Sequence, residues 1–580
     1  MSVRTAVFSA AVLLVLTGMA VLYIPCLRLG FLGDDFLDLD HGFGPSTFGS
    51  FEAGGFRPLI VAVWTFDSTI YGPTNAWGWH LTNILLHLCN IALVLLLLRQ
   101  FGTDRRVLLA ALAFFAFSFS VVPSVCRVSG RTTVAALVPL LGAMNLHVLW
   151  KRKGNELFLV ASLLLVLASL LTKETALACP IMFGAVSTFL YNEEKSALRV
   201  FSRDFLIYML PVLVYALWRL AAVGSRMGYA ESGSFGVFMI RNLALLGTQV
   251  FSPWLSGLSA RMALLVLPVG AWLLRGKDGL GLLGLVLMLG MLVTVSNLPP
   301  RPYYAYAAIP GATLLFAALA RACSGKSRLM AAVPVLLLLG SFLEARDEAG
   351  RLSQASEYTE TLIGHLAELE ERTPGEGPLI VSGYRSQVAG YGTLWPGAYS
   401  EALGTRGLVP GRPIRFLDGY FFTVLLESME CESGVTSYFA EYTGNGWETA
   451  AFRPGDRKWD ESGATLASEA GSGSVAISDS LWMRNSCFIV TSSPCSLGVI
   501  DPMADSLVVY RGAHFSGDTT WFDLENSRAW LISNPPFSLF VLSSPGMEPG
   551  EVYFSPRRIW LPVIEERLRL KDSQISRQDL

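Results

Sequence analysis

Residues 79–98 read Trp-His-Leu-Thr-Asn-Ile-Leu-Leu-His-Leu-Cys-Asn-Ile-Ala-Leu-Val-Leu-Leu-Leu-Leu, without one Asp, Glu, Lys or Arg. A helix rises about 1.5 Å per residue, so a run of this length covers the ~30 Å hydrocarbon core of a bilayer. Comparable apolar runs occur at 5–24, 107–123, 132–150, 156–172, 175–191, 205–223, 237–255, 262–274, 279–296, 303–320 and 329–343. Only 16% of the 580 residues are charged and 52% are hydrophobic, with a mean hydropathy of +0.47; soluble domains carry about 25% charged residues. The shortage lies between Met1 and Leu343, and charges become ordinary after Glu344. The run 5–24 follows the short basic start Met1-Ser2-Val3-Arg4 and has no small-x-small cleavage site before Pro25-Cys26-Leu27-Arg28, so it reads as an uncleaved first span.

Lys and Arg accumulate on the cytoplasmic side of membrane proteins. The loops Gln100–Arg106, Lys151–Lys153, Lys195–Arg203, Arg275–Lys277 and Arg321–Arg328 are basic, and the loop with Asp34, Asp35, Asp38 and Asp40 is acidic. Twelve crossings cannot place every basic loop inside; eleven can, if 237–255 stays outside as an interfacial or re-entrant helix. That segment carries Arg241, Asn242, Gln249 and Pro253, and a charge at mid-membrane costs ~2.5–3.5 kcal/mol on insertion scales. The expectation is eleven spans with an extracytoplasmic C-terminus. The alternative is twelve spans and a cytoplasmic C-terminus.

Two domains are expected, 1–345 in the membrane and 346–580 outside it as a mixed α/β domain. Residues 346–371 repeat Leu352, Ala355, Tyr358, Leu362, Leu366 and Leu369 at helical spacing, and Thr373-Pro374-Gly375 ends the helix. Strands are expected at 378–382, 484–492, 506–511, 529–533 and 537–543, and 434–480, rich in Gly, Ser and Glu, reads as a long loop. The net charge of −2 offers no footprint for nucleic acid. The eight cysteines form no C-x-x-C pair, which argues against zinc; Cys487 and Cys495 are either a disulfide or two free thiols.

The polar residues that interrupt the apolar pattern gather on the external side. Gly33-Asp34-Asp35-Phe36 sits just beyond the first span. Carboxylates there must meet water, a cation or a polar cavity, and one of them can serve as general base to a hydroxyl; the plainer reading is a solvated acidic loop. His80, Asn83 and His87 share one face of the second span, either as a packed polar seam or as the lining of a cavity.

The run from Gly33-Asp34-Asp35 through Phe56-Arg57-Pro58-Leu59 to Trp79-His80-Leu81-Thr82-Asn83-Ile84-Leu85-Leu86-His87 resembles the GT-C glycosyltransferases. It is most similar to the branch of protein O-mannosyltransferases and transmembrane O-mannosyltransferases with tetratricopeptide repeats. Val128-Ser129-Gly130-Arg131, Leu171-Thr172-Lys173-Glu174-Thr175, and Asn297-Leu298-Pro299 with Arg301-Pro302-Tyr303-Tyr304-Ala305-Tyr306 and Pro310 agree in order and spacing, so the resemblance covers roughly 5–345.

The resemblance implies a GT-C fold and an inverting transfer of a sugar from a polyprenyl phosphate to an acceptor hydroxyl on the outer face. It implies Asp34 as base, with Asp35 as its neighbour or as ligand to a divalent cation. The leaving phosphate needs cations. Arg57, Arg131, Lys173, Arg241 and Arg301 are the external candidates, Lys173 and Arg301 foremost; His80, Glu174, Tyr304 and Tyr306 complete the expected substrate-binding set. The competing reading for these cations is interfacial snorkelling or a local pair such as Lys173 with Glu174.

The chain departs from the family pattern. Pro123, within 118–124, stands where relatives carry a Glu, Arg127 stands where an apolar residue is usual, and the tetratricopeptide repeats are absent. The acceptor is therefore open between a protein, a glycan and a lipid. A transporter or flippase of lipid-linked sugar, and a catalytically silent scaffold, are the competing functions. The chain holds no N-x-Ser/Thr sequon, which favours a bacterial inner membrane.

Overall fold

A computed structural model describes residues 3–39, 45–48, 56–191, 197–223, 237–252, 254, 279–296, 301–324, 328–372, 379–382, 387–394 and 398–408, together with the strands from 414 onward that are named below. The chain divides into two units, Met1–Glu360 with Val388–Gly392, and Thr361–Gln387 with Thr393–Leu580.

The first unit is helical. In order come α1 (Val3–Tyr23), α2 (Pro58–Tyr71), α3 (Ala76–Gln100), α4 (Arg105–Phe117), α5 (Val122–Val125), α6 (Arg131–Lys153), α7 (Glu156–Thr172), α8 (Cys179–Leu190), α9 (Ala197–Val223), α10 (Val237–Val250), α11 (Leu280–Val293), α12 (Ile309–Cys323) and α13 (Arg328–Arg372). Among the described residues five helices are long and apolar enough to span a bilayer, or six if the bent pair 105–117 and 119–125 counts as one; three shorter apolar helices accompany them. The expected span 262–274 lies outside the described residues. α10 has 14 residues, about 21 Å of helix, short of the ~30 Å core.

The protein is an α-helical polytopic membrane protein, and α9 shows its solvent. Leu206, Leu210, Leu213, Leu217 and Leu220 are exposed at three- and four-residue spacing, while Asp204, Tyr208, Pro211 and Tyr215 are buried on the other face. Exposed leucine is unfavourable in water and neutral in lipid. Helix packing inside relies on small residues and hydrogen bonds. A Cβ on Gly284 of α11 would lie 2.7 Å from the Gly311 carbonyl of α12, so only glycine admits that approach. His147 of α6 binds the Tyr208 hydroxyl at 3.0 Å and Ser187 Oγ at 2.7 Å, and Ser162 binds Tyr208 at 2.6 Å, joining α6, α7, α8 and α9.

Two elements differ from expectation. The loop after the first span contains α2, which begins with Pro58 at its first helical position, where a missing N–H costs nothing. The last apolar run and the amphipathic segment 346–371 form one continuous 45-residue helix, α13, that ends at Arg372 before Thr373-Pro374-Gly375.

The second unit is mainly β. β1 (Leu379–Ser382), β4 (Ile414–Phe416), β5 (Ser437–Tyr442) and β6 (Trp447–Phe452) form a sheet in the order β4-β1-β5-β6, with β1 parallel to β4 and β5 and the β5–β6 pair antiparallel. β2 (Gln387–Val388) and β3 (Tyr391–Gly392) are a short pair whose residues Val388–Gly392 belong to the first unit, and α14 (Tyr399–Gly404) is a short helix of the second. β7 (Ala464–Ser468), β8 (Ser474–Ile477), β9 (Ser486–Val490), β10 (Ser496–Asp501), β11 (Ser506–Arg511), β12 (His514–Ser516), β13 (Thr519–Asp523), β14 (Ser538–Ser543) and β15 (Val552–Ser555) form three-stranded antiparallel sheets in the orders β11-β10-β14, β12-β13-β9 and β15-β7-β8. The stretch 434–480 is therefore not a loop but holds β5 to β8. β5 and β6 pair antiparallel, and the Gly-rich sequence between them fits the connection of two strands as well as a loop. The expected strand 529–533 and the side chains of Cys487 and Cys495 lie outside the described residues.

Candidate active site

The two adjacent carboxylates have different environments. Both lie on the 3-10 turn Gly33–Asp38, which opens at Gly33 with φ 52°, a value glycine adopts without strain. Asp35 is buried. Its Oδ2 accepts the Leu32 N–H at 3.1 Å and its Oδ1 accepts the Ser129 N–H at 2.7 Å. It thus stitches the first external loop to the stretch before α6. Asp34 is half exposed, with Arg127 at 3.7 Å. Desolvation raises the Asp34 pKa above the ordinary carboxylate range, Arg127 opposes the rise, Asp35 adds to it, and Arg301 opposes it again.

Arg127 lies over the Tyr303 ring at 5.5 Å, and its carbonyl accepts Asn83 Nδ2 at 2.6 Å. A disulfide between Cys26 and Cys126, 100 residues apart in sequence, clips the Asp34 loop to the residue before Arg127.

Lys173, at the junction of α7 and the 3-10 turn Glu174–Ala178, is buried. It donates to Thr132 Oγ1 at 3.0 Å and Thr133 Oγ1 at 2.5 Å, and its ammonium stands 5.7 Å from the Tyr304 ring centroid. Its pKa is lowered to about 7, chiefly by burial and also by Arg57, with Glu174 opposing them. Glu174 pairs with Arg57 at 2.9 Å, not with Lys173. The local Lys173–Glu174 pair is thereby replaced by a link from α2 to the α7–α8 junction.

The structure thus brings Asp34, Asp35, Arg127 and Arg301 together, and Lys173 with Arg57, Glu174 and Tyr304. Other expected site residues face elsewhere. Arg131 is fully buried: it pairs with Asp67 at 2.6 Å, donates to Asn83 Oδ1 at 2.5 Å and to the Trp79 carbonyl at 2.6 Å. Its Nε and one Nη donate hydrogen bonds and the other Nη faces the Asp67 carboxylate, so it holds α2, α3 and α6 together. Tyr306 is buried in the helical core, where its hydroxyl meets His87 at 2.9 Å and Asn90 at 3.1 Å. His80 is fully buried beside the Leu29 and Gly30 backbone and within electrostatic reach of Asp35. Asn83, His87 and Asn90 pack the polar face of α3 against its neighbours. Arg241 is exposed on α10, and no ion pair joins it to Asp34 or Glu174 among the described residues. No three His, Cys, Asp or Glu side chains converge as metal ligands among the described residues. Each Asp35 oxygen accepts one backbone N–H, and the half-exposed Asp34 is the more open carboxylate of the pair.

Sequence reasoning missed Asp67, Arg127 as the partner of Asp34, and the disulfide. The available signal was positional, since Cys26 and Cys126 both fall on the external side of the charge-derived orientation.

No family model matches the chain. It is 34% identical over 181 residues to the protein O-mannosyl-transferase Tmtc2 of Drosophila melanogaster, covering 27% of this chain and 19% of that one. It is 34% identical over 134 residues to Tmtc1 of the same organism, covering 23% of this chain and 15% of that one. The matches thus span less than a fifth of each relative. Among solved structures, ArnT from Cupriavidus metallidurans bound to undecaprenyl phosphate aligns over 76% of this chain and 93% of that one, at 14% identity and a TM-score of 0.40. The Archaeoglobus fulgidus oligosaccharyltransferase aligns over 70% and 64%, at 12% identity and a TM-score of 0.39. The chain is a multi-pass membrane protein that resembles the Tmtc O-mannosyltransferases of the GT-C class.

Proposed function

We propose that the chain is a glycosyltransferase that moves a sugar from a polyprenyl-phosphate donor to an acceptor hydroxyl on the extracytoplasmic face, with inversion. The observation that carries this reading is the division of labour between the two carboxylates. Asp35 is held by two backbone N–H groups, while Asp34 is half exposed and faces Arg127. A carboxylate with a pKa raised by desolvation is a better base than one free in water. The undecaprenyl phosphate bound to ArnT belongs to that protein; a polyprenyl phosphate enters here as the donor lipid the resemblance implies.

An Asp34 oxygen takes the proton of the acceptor hydroxyl. The acceptor oxygen attacks the anomeric carbon from the side opposite the phosphate, a new C–O bond forms, and the old one breaks. Its electron pair leaves on the polyprenyl phosphate, so configuration inverts. Lys173 and Arg301 supply positive charge for that leaving group, and Arg57 orients Glu174 and adds to the field at Lys173. The acceptor is a protein, glycan or lipid hydroxyl.

Two features support the outer face. The basic run Lys151–Lys153 closes α6 at the end opposite Arg131. The Cys26–Cys126 bond, next to Asp34 and Arg127, belongs to an oxidising compartment. The missing sequon favours a bacterial inner membrane, with the C-terminal unit outside it. An Asp34→Asn variant tests the reading: a transferase loses turnover, whereas a lipid-linked-sugar transporter or a silent scaffold keeps its function.

A further inference from the structure

The turn Val388–Gly392 comes from the C-terminal part of the sequence yet belongs to the membrane unit that holds Asp34. Ala389 has φ 53° and Gly390 φ 87°. Two consecutive positive φ values are the signature of a tight primed hairpin turn, and alanine adopts the first of them unwillingly. Surrounding contacts must hold it there. Tyr391 is buried and its hydroxyl donates to Glu348 of α13, which also pairs with Arg351. Thr393, two residues on, is fully buried. The β3 strand packs on the Gly33–Asp38 turn, and Tyr391 lies within electrostatic reach of Arg127.

We propose that the turn Val388–Gly392 is the acceptor-side wall of the Asp34 site, and that Tyr391 is a positioning residue that sets the Asp34 loop against Arg127. The assignment to the acceptor rests on the transferase reading and on depth. Glu348 and Arg351 follow the lipid-exposed Leu343 by about one and two helical turns. The anchor therefore stands at the water side of the apolar layer. A hydroxyl acceptor arrives from that side, whereas a lipid phosphate arrives from the bilayer.

The test uses full-length protein in detergent with Tyr391→Phe, Ala389→Val and Ala389→Gly. Tyr391→Phe deletes the bond to Glu348, Ala389→Val disfavours positive φ, and Ala389→Gly accepts it. Hydrogen exchange of the Gly33–Asp38 amides is read first, without any substrate. Half-saturation is then read separately for a labelled polyprenyl-phosphate sugar and for native membrane extract as acceptor. Tyr391→Phe and Ala389→Val are expected to speed exchange and to raise acceptor half-saturation about tenfold, the loss of one hydrogen bond to a charged group. Donor half-saturation should stay within about twofold, and Ala389→Gly should keep the slow exchange of the wild type. Unchanged exchange in both disruptive variants overturns the wall. Faster exchange with donor and acceptor values rising together overturns the acceptor-side role. A wild type that transfers no sugar, with the exchange difference present, sinks the transferase reading and supports the wall.

Discussion

Asp35 accepts the backbone N–H of Ser129 at 2.7 Å across 94 residues of sequence, and this bond separates the roles of two neighbouring carboxylates. The charge of Asp35 is committed to the architecture of two loops, and Asp34 is left facing outward beside Arg127. Asp34→Asn should keep the fold and lower sugar transfer by about 10²–10⁴, the usual worth of a general base. Asp35→Ala should instead lower thermal stability by about 1.5–3 kcal/mol, because two N–H groups lose a charged acceptor. Melting curves and turnover of the two variants separate the effects.

Arg127 opposes the rise in the Asp34 pKa. Arg127→Gln should raise it further. The base is active when deprotonated, so the rate grows as pH rises through the Asp34 pKa. The acidic limb of the rate profile should therefore move to higher pH in Arg127→Gln. A limb that stays in place would separate Arg127 from the base.

Lys173, with its pKa lowered to about 7 by burial, loses its charge as pH climbs through that value. Donor affinity should weaken between about pH 7 and 9 in the wild type, with a bound phosphate holding the proton toward the upper end. Lys173→Arg stays charged over this range and should show a flat profile. Lipid-phosphate binding measured across pH checks both.

Arg131 and Asp67 form a fully buried pair at 2.6 Å. Arg131→Met should cost about 3–5 kcal/mol, because it strands a buried carboxylate. The double variant Arg131→Met with Asp67→Leu should recover much of that loss. Equal melting temperatures for the single and double variants would contradict the coupling.

The long apolar helices were legible because length and apolarity define them; the run 79–98 became α3, Ala76–Gln100. α2 was not, since 14 residues inside an acidic loop carry too weak a pattern, although Pro58 marked its start. For the candidate site the sequence offered motif order. Motif order singled out Asp34, Lys173 and Arg301, but adjacent Asp34 and Asp35 look alike until the backbone of Ser129 arrives beside one of them. Arg131 and Tyr306 lie in the same motifs as functional candidates, and only burial reveals that their polar atoms face partners in the core. The Cys26–Cys126 pair spans two helical hairpins, and sequence spacing carries no record of such a contact.

The disulfide gives a check of sidedness that does not depend on catalysis. Non-reducing peptide mapping should recover a peptide joining Cys26 to Cys126, and Cys26→Ser should lower stability by about 2–4 kcal/mol. Free thiols at both positions, labelled from the cytoplasmic side of sealed vesicles, would reverse the orientation.

The central claim is that Asp34 drives sugar transfer from a polyprenyl phosphate. The direct measurement is release of label from polyprenyl-phosphate mannose, glucose, galactose and arabinose derivatives, offered in turn to purified wild type and Asp34→Asn with native membrane extract as acceptor. Transfer from one donor by the wild type, absent in Asp34→Asn, is the expected result and names the sugar. Equal transfer by both proteins, or none by folded wild type that binds the lipid, contradicts the claim.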